Sequence, residues 1–174
     1  MRKTTIMPYT ESWAEEFERE AAAIRNIFNS AILYHIGSTS VPAIGYAKPV
    51  IDILGELEDI SEADRLSADM ERLGYEVCGE NGIPGRRFFT KGGNERTHHV
   101  HLYEKGNEQI DIHLNFKRYL LEHPTDAKAY GELKLQLLQE FPDQHEEYQT
   151  RKQPFVSELA KKANEWALKE RSKA

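Results

Sequence analysis

The chain has 174 residues, and its 23 Lys and Arg against 29 Asp and Glu leave a formal net charge of −6. Such an acidic chain offers no basic stripe for duplex nucleic acid, which carries a phosphate charge every ~1.7 Å of axis, so any nucleotide must be met locally. With 39% hydrophobic residues, a chain of about one domain's length removes roughly 70% of its unfolded surface from water, which excludes wholesale disorder.

Asn26 to Ala47 is the longest stretch free of Asp, Glu, Lys and Arg, but it holds Gly37, Pro42, Gly45 and a Ser-Thr-Ser run that a membrane-spanning helix would not carry. The first residues reach Glu11 without an apolar run, so no secretory signal is expected. One cysteine, Cys78, staples nothing internally. The expectation is a cytoplasmic protein with no membrane partner.

Thr10 to Phe28 reads as the first helix, because Trp13, Phe17, Ala21, Ile24 and Phe28 fall on one stripe. Ser12 with Glu15 offers a capping box. Ala31 to Ile36 has strand composition and leads into the turn Gly37-Ser38-Thr39-Ser40. Pro49 to Leu54 is nearly all apolar with one acid, Asp52, as a central strand covered on both faces would be. Ser61 to Leu73 predicts a second helix, capped by Ser61 with Asp64 and stopped at Gly74.

Tyr75 to Cys78 suits a short strand, and Gly79 to Gly85 a loop. A hairpin follows, turning at Gly92-Gly93-Asn94. In its second arm His99 and His101 share one face, with His98, Val100 and Leu102 on the other. Glu108 to Leu121 alternates like a strand and also repeats like a helix, so period alone leaves both open. His123-Pro124 stops it, and Thr125 or Asp126 caps a third helix with Ala127, Tyr130, Leu133 and Leu137 inward. The last, from Asp143 to about Leu168, contains Pro154, which predicts a kink or a restart. No repeat, low-complexity tract or linker interrupts the chain. The expected architecture is one mixed α/β domain over residues 1–174, a small mixed sheet flanked by helices.

Three groups of residues could carry chemistry. Gly37 allows close backbone approach, and Ser38 and Ser40 add hydroxyls beside backbone N–H groups, which suits phosphate; the ordinary alternative is a turn held by Ser/Thr hydrogen bonds. Asp52, an ionised carboxylate among Val, Ile and Leu, costs several kcal/mol unless compensated, or else is exposed at an edge. It could hold Mg²⁺ together with substrate phosphates. His99 and His101 could join Asp52 in a two-histidine, one-carboxylate metal set, or simply hydrogen-bond to the backbone or to Asp52. His35, before the turn, is a candidate pocket residue. Arg86 and Arg87 lie on opposite faces by alternation, so one of them could meet phosphate through its planar fork; a solvated hairpin surface is the plainer reading. Lys48 and Lys152 are further phosphate candidates, and Cys78 reads as packing.

The runs HIGSTSVPAIGYAKPVIDIL (His35 to Leu54), GIPGRRFF (Gly82 to Phe89), RTHHVHLY (Arg96 to Tyr103) and FKRYLLEHP (Phe116 to Pro124) resemble the GrpB family, assigned to the nucleotidyltransferase superfamily. The similarity extends from near the start to the Lys152–Phe155 region. It implies a nucleotidyltransferase-like fold, Gly37 and Ser38 at nucleotide phosphates, Asp52 as the first metal carboxylate and catalytic residue, and a helix over Glu108 to Leu121. Active members of the wider superfamily carry a second acid two residues after the first, on the same strand face; here that residue is Leu54. The third acid's strand offers His99 and His101, and Glu56, ~6–7 Å further along, is a poor substitute for the second.

The resemblance therefore implies a protein that binds a nucleotide or another phosphate-bearing small molecule. If catalytic, it would transfer a nucleoside monophosphate to an acceptor hydroxyl with Mg²⁺ or Mn²⁺, Zn²⁺ or another transition metal being the second choice. The alternative is a non-catalytic binding or assisting module with a coenzyme A-related ligand or a partner protein, since GrpB-like domains occur fused to dephospho-CoA kinases.

Overall fold

The computed structural model describes residues 3–173. In chain order the elements are β1 (Met7–Pro8), α1 (Ser12–Ile27), β2 (Ile32–Ile36), β3 (Tyr46–Ala47), β4 (Ile51–Leu57), α2 (Ser61–Arg65), α3 (Ser67–Arg72), β5 (Tyr75–Val77), β6 (Arg87–Lys91), β7 (His98–Glu104), α4 (Glu108–Glu122), α5 (Pro124–Glu140) and α6 (His145–Ser172). Glu11–Gly37 and Val50–Asp111 make up a sheet unit. Residues 3–10, Ser38–Pro49 and 112–173 make up a helical unit.

The sheet unit holds five strands in the order β2-β4-β7-β6-β5, with β4 and β7 parallel and every other pair antiparallel. Its middle strands are apolar on the face that α1 and α3 cover. Ile51, Ile53, Leu57, Val100, Leu102 and Phe89 are buried there along with Trp13, Phe17, Ala21 and Ile24 of α1 and Met70 of α3. Strand alternation sends the even-numbered residues of β4 to the opposite face. That parity aims Asp52 away from α1.

Two expected caps are absent. No side-chain hydrogen bond caps α1, which begins after Glu11. Ser61 bonds through both its N–H and its hydroxyl to Asp59 Oδ1, and the single helix expected over 61–73 is two short helices broken at Leu66. Aspartate two residues upstream offered Ser61 a tighter local partner than Asp64 did. The Glu108–Leu121 ambiguity resolves to the helix α4.

In the helical unit, Val41 and Ile44 of the Ser38–Pro49 segment pack with Tyr119 and Leu120 of α4, Ala127 and Tyr130 of α5, and Leu159 and Ala163 of α6. Gly131 of α5 lets this segment approach, since a Cβ there would lie 1.8 Å from the Ile44 carbonyl oxygen. The α6 helix runs through Pro154 without restarting. Thr4 Oγ1 meets His145 Nδ1 at 2.8 Å, tying the first described residues to the start of that helix. Among the described residues no helix is long and apolar enough to cross a membrane.

Candidate functional site

Strand register assembles the site. Asp52 stands opposite Ile36 on one side and His99 on the other, while Leu54 stands opposite His101, and Phe88 and Thr90 of β6 face His101 and His99. Paired residues project to the same face. Asp52, His99, His101 and Phe88 therefore share the face that the sheet unit's helices leave alone.

Asp52 Oδ1 lies 3.3 Å from His99 Nδ1 and 3.5 Å from His101 Nε2. Its side chain is 27% exposed, against 23% and 13% for the two histidines, so solvent reaches the group. Burial pushes the carboxyl pKa up, but hydrogen bonds from His101 and His99 outweigh it and hold Asp52 well below the usual carboxylate range. This compensation answers the cost that the sequence posed. Gly37 closes over the second oxygen: with φ of +75°, it places its missing Cβ 2.6 Å from Asp52 Oδ2. Any side chain there would collide with the carboxylate.

Arg86 is the site's buried cation, 7% exposed. Its Nε donates to the Glu80 carbonyl at 3.1 Å and its Nη2 to the Asn81 carbonyl at 2.8 Å, fastening the loop that precedes β6. Its Nη1 lies 3.4 Å from His101 Nδ1. The guanidinium sits 4.5 Å from the Phe88 ring centroid, and that ring in turn lies 5.0 and 5.5 Å from the imidazoles of His101 and His99. Arginine has only donors, so this contact is a hydrogen bond only where Nδ1 of His101 accepts.

The other expected residues are distributed. Arg87 points to the opposite face and forms a forked pair with Asp64 at 2.8 and 3.2 Å, away from Asp52. His35, expected to line the pocket, instead stacks on Phe17 of α1 with centroids 4.9 Å apart, because it is in register with Ile53 and not with Asp52. Ser38 and Ser40 form a 3-10 turn that belongs, with Lys48, to the helical unit. Lys48 and Lys152 both place their ammonium groups over the Tyr148 ring, at 5.1 and 5.5 Å.

A second polar cluster, which no sequence motif marks, lies on the sheet's other side. Glu20 of α1 accepts from Tyr75 at 2.7 Å and Lys91 at 2.6 Å, with His98 Nε2 3.9 Å away. These residues have helix-face parity.

Leu54, at the second acid's place, is fully buried. Glu56 projects from the same face, opposite Ile32 and Tyr103. Among the described residues, no group of three or more His, Cys, Asp and Glu side chains is arranged to hold a metal ion. The donors do not fit a two-ion carboxylate centre. Asp52 and its histidines stand instead as a hydrogen-bonded group.

The model of the family described as GrpB protein matches residues 3–162. UPF0157 protein YqkA of Bacillus subtilis is 44% identical over 167 residues, covering 95% of this chain and 48% of YqkA, so the chain spans about half the length of that relative. The crystal structure of conserved protein GrpB from Enterococcus faecalis is 42% identical, with a TM-score of 0.88 over 94% of this chain and 99% of that one. A more distant likeness is to the Cid1 poly(U) polymerase with MgGTP bound, at 12% identity and a TM-score of 0.44, covering 70% of this chain and 44% of that chain.

Proposed function

The chain belongs to the GrpB family, and on that premise we propose that it binds a nucleotide or another phosphate-bearing small molecule at the Asp52 face of its sheet. The observation that carries this reading is the partly exposed Asp52 carboxylate, clamped by His99 and His101 and overlain by Gly37. An ionised carboxylate kept in contact with solvent accepts hydrogen bonds from a ligand hydroxyl or amino group. A sugar or a base supplies such groups. Phosphate would go to donors, the backbone at Gly37 among them. Arg86 supports His101, and Arg87 takes no part.

With Leu54 in the second acid's place, the donor set favours binding over metal-dependent transfer of a nucleoside monophosphate. The protein then serves as a binding or assisting module, its ligand being a nucleotide or a coenzyme A-related molecule. Isothermal titration with ATP, GTP, CTP, UTP and coenzyme A, each in EDTA and in Mg²⁺, tests this. The expected result is saturable heat with at least one of them in both buffers, weakened about tenfold or more in Asp52→Asn, a loss on the scale of one charge-assisted hydrogen bond. No heat from any of the five in folded protein overturns the reading, and binding only in Mg²⁺ overturns its metal-independence.

A further inference from the structure

Arg86 links two features that the sequence does not connect, the Gly79–Gly85 loop and the ring of His101. Two of its nitrogens are committed to loop carbonyls and a third faces His101 Nδ1. The guanidinium has five N–H donors and no acceptor, and it keeps its charge at any working pH. A second N–H on Nδ1 would oppose one of the guanidinium's own. The side of His101 that faces Arg86 is thus reserved for a lone pair.

We propose that Arg86 is a positioning residue that holds His101 as its Nε2–H tautomer and thereby keeps transition-metal ions off the Asp52 carboxylate. A metal at Nε2 needs the lone pair there, so the proton on that nitrogen has to move. On Nδ1 it would point at the guanidinium, 3.4 Å away. If instead it is lost to solvent, an imidazolate remains, which neutral solution does not supply. Metal-bound histidines ordinarily donate their outer N–H to a carboxylate, a backbone carbonyl or water; here the outer neighbour is a cation. Asp52, His99 and His101 have the right chemistry for a metal triad, and the residue behind them denies it. This inference concerns the empty-handed protein and stands or falls independently of which small molecule the site takes.

Ring nitrogen signals in ¹⁵N-labelled protein, read by long-range proton–nitrogen correlation and assigned with His101→Ala, test the tautomer directly. The expected pattern is a protonated Nε2 and a bare Nδ1 for His101. The reverse pattern, or protons on both nitrogens, overturns the proposal. Titration with Co²⁺, followed by its visible absorption, tests the consequence. Wild type and His101→Ala should bind Co²⁺ alike, to within about twofold. Arg86→Gln, whose side-chain oxygen can accept from Nδ1–H, should bind it about tenfold tighter or more, the scale of an outer-neighbour exchange at a metal site. Adding His101→Ala to Arg86→Gln should abolish the gain, and Arg86→Lys, which again only donates, should behave as wild type. Co²⁺ binding that weakens in His101→Ala, or no gain in a folded Arg86→Gln, refutes it. Should Arg86→Gln not fold, the ring spectrum and the comparison of wild type with His101→Ala still decide.

Discussion

Substituting alanine for Gly37 probes the closest contact at the site. Two costs arise. The backbone at φ of +75° strains an L-residue by about 1–2 kcal/mol. The new Cβ would also fall 2.6 Å from Asp52 Oδ2, and relief requires that separation to pass 3.0 Å. Gly37 follows β2 and the histidines lie on β7, on the other side of Asp52, so moving the carboxylate disturbs its contacts with His99 and His101, now 3.3 and 3.5 Å. Losing one charge-assisted hydrogen bond costs about 1.5–3 kcal/mol, and the lower end applies because Asp52 keeps a quarter of its side chain in water. The sum is about 3 kcal/mol. Gly45→Ala is the control, since Gly45 has φ of +82° with nothing within 4 Å of its missing Cβ, so only the backbone cost of about 1–2 kcal/mol remains. Urea unfolding followed by circular dichroism measures both. In an Asp52→Ala background, Gly37→Ala should cost no more than Gly45→Ala, because the collision partner is gone. If Gly37→Ala and Gly45→Ala are equally destabilising in the wild-type background, the collision argument fails.

Three further outcomes are expected. Glu20 has its pKa pushed up by burial, but hydrogen bonds from Lys91 and Tyr75 and the nearby charges of His98 and Lys91 lower it on balance. Its contribution is complete above its unfolded value of about 4.3 and is lost as pH falls from there through the lower folded value. Urea midpoints of wild type should therefore drop more steeply below about pH 4.3 than those of Glu20→Gln, and parallel curves would contradict this. Arg87→Ala removes a pair whose aspartate is 57% exposed, so it should cost at most about 1 kcal/mol and leave nucleotide titrations unchanged; a loss of ligand heat would place Arg87 at the site after all. Leu54→Asp restores the second acid in the sequence, yet buries a carboxylate where solvent does not reach. It should destabilise by several kcal/mol, with no recovery of the thermal midpoint on adding Mg²⁺; recovery would mean that position 54 can serve a metal.

Features governed by period and parity were legible in the sequence. Asp52 on a central strand, His99 and His101 on a common face, and the apolar stripe of α1 follow from steps of two and of three to four. What sequence could not supply was the pairing of strands far apart in the chain. The parallel match of β4 with β7 puts Asp52 beside His99, and the antiparallel match of β2 with β4 sets His35 against Ile53 and so toward α1, because parity states which residues share a face but not which face is which. The cap expected at Ser61 failed because it depended on a local choice among hydrogen-bond partners, which Asp59 won, whereas Ser12 lies inside α1, one residue past Glu11. Strand alternation assigns Arg86 and Arg87 to opposite faces. Arg86 lies one position before β6, where alternation does not apply, and its partners are loop carbonyls that composition does not reveal.

The path of the chain bears on how the protein matures during synthesis. All residues of the sheet unit have been made by Asp111, whereas Val41 and Ile44 belong to a core completed by Tyr130, Leu159 and Ala163. The five strands can thus associate on the ribosome while two buried aliphatic side chains, encoded early, still await α5 and α6. Until those helices emerge, the Ser38–Pro49 segment keeps two apolar side chains uncovered, the condition in which a nascent chain is prone to aggregate.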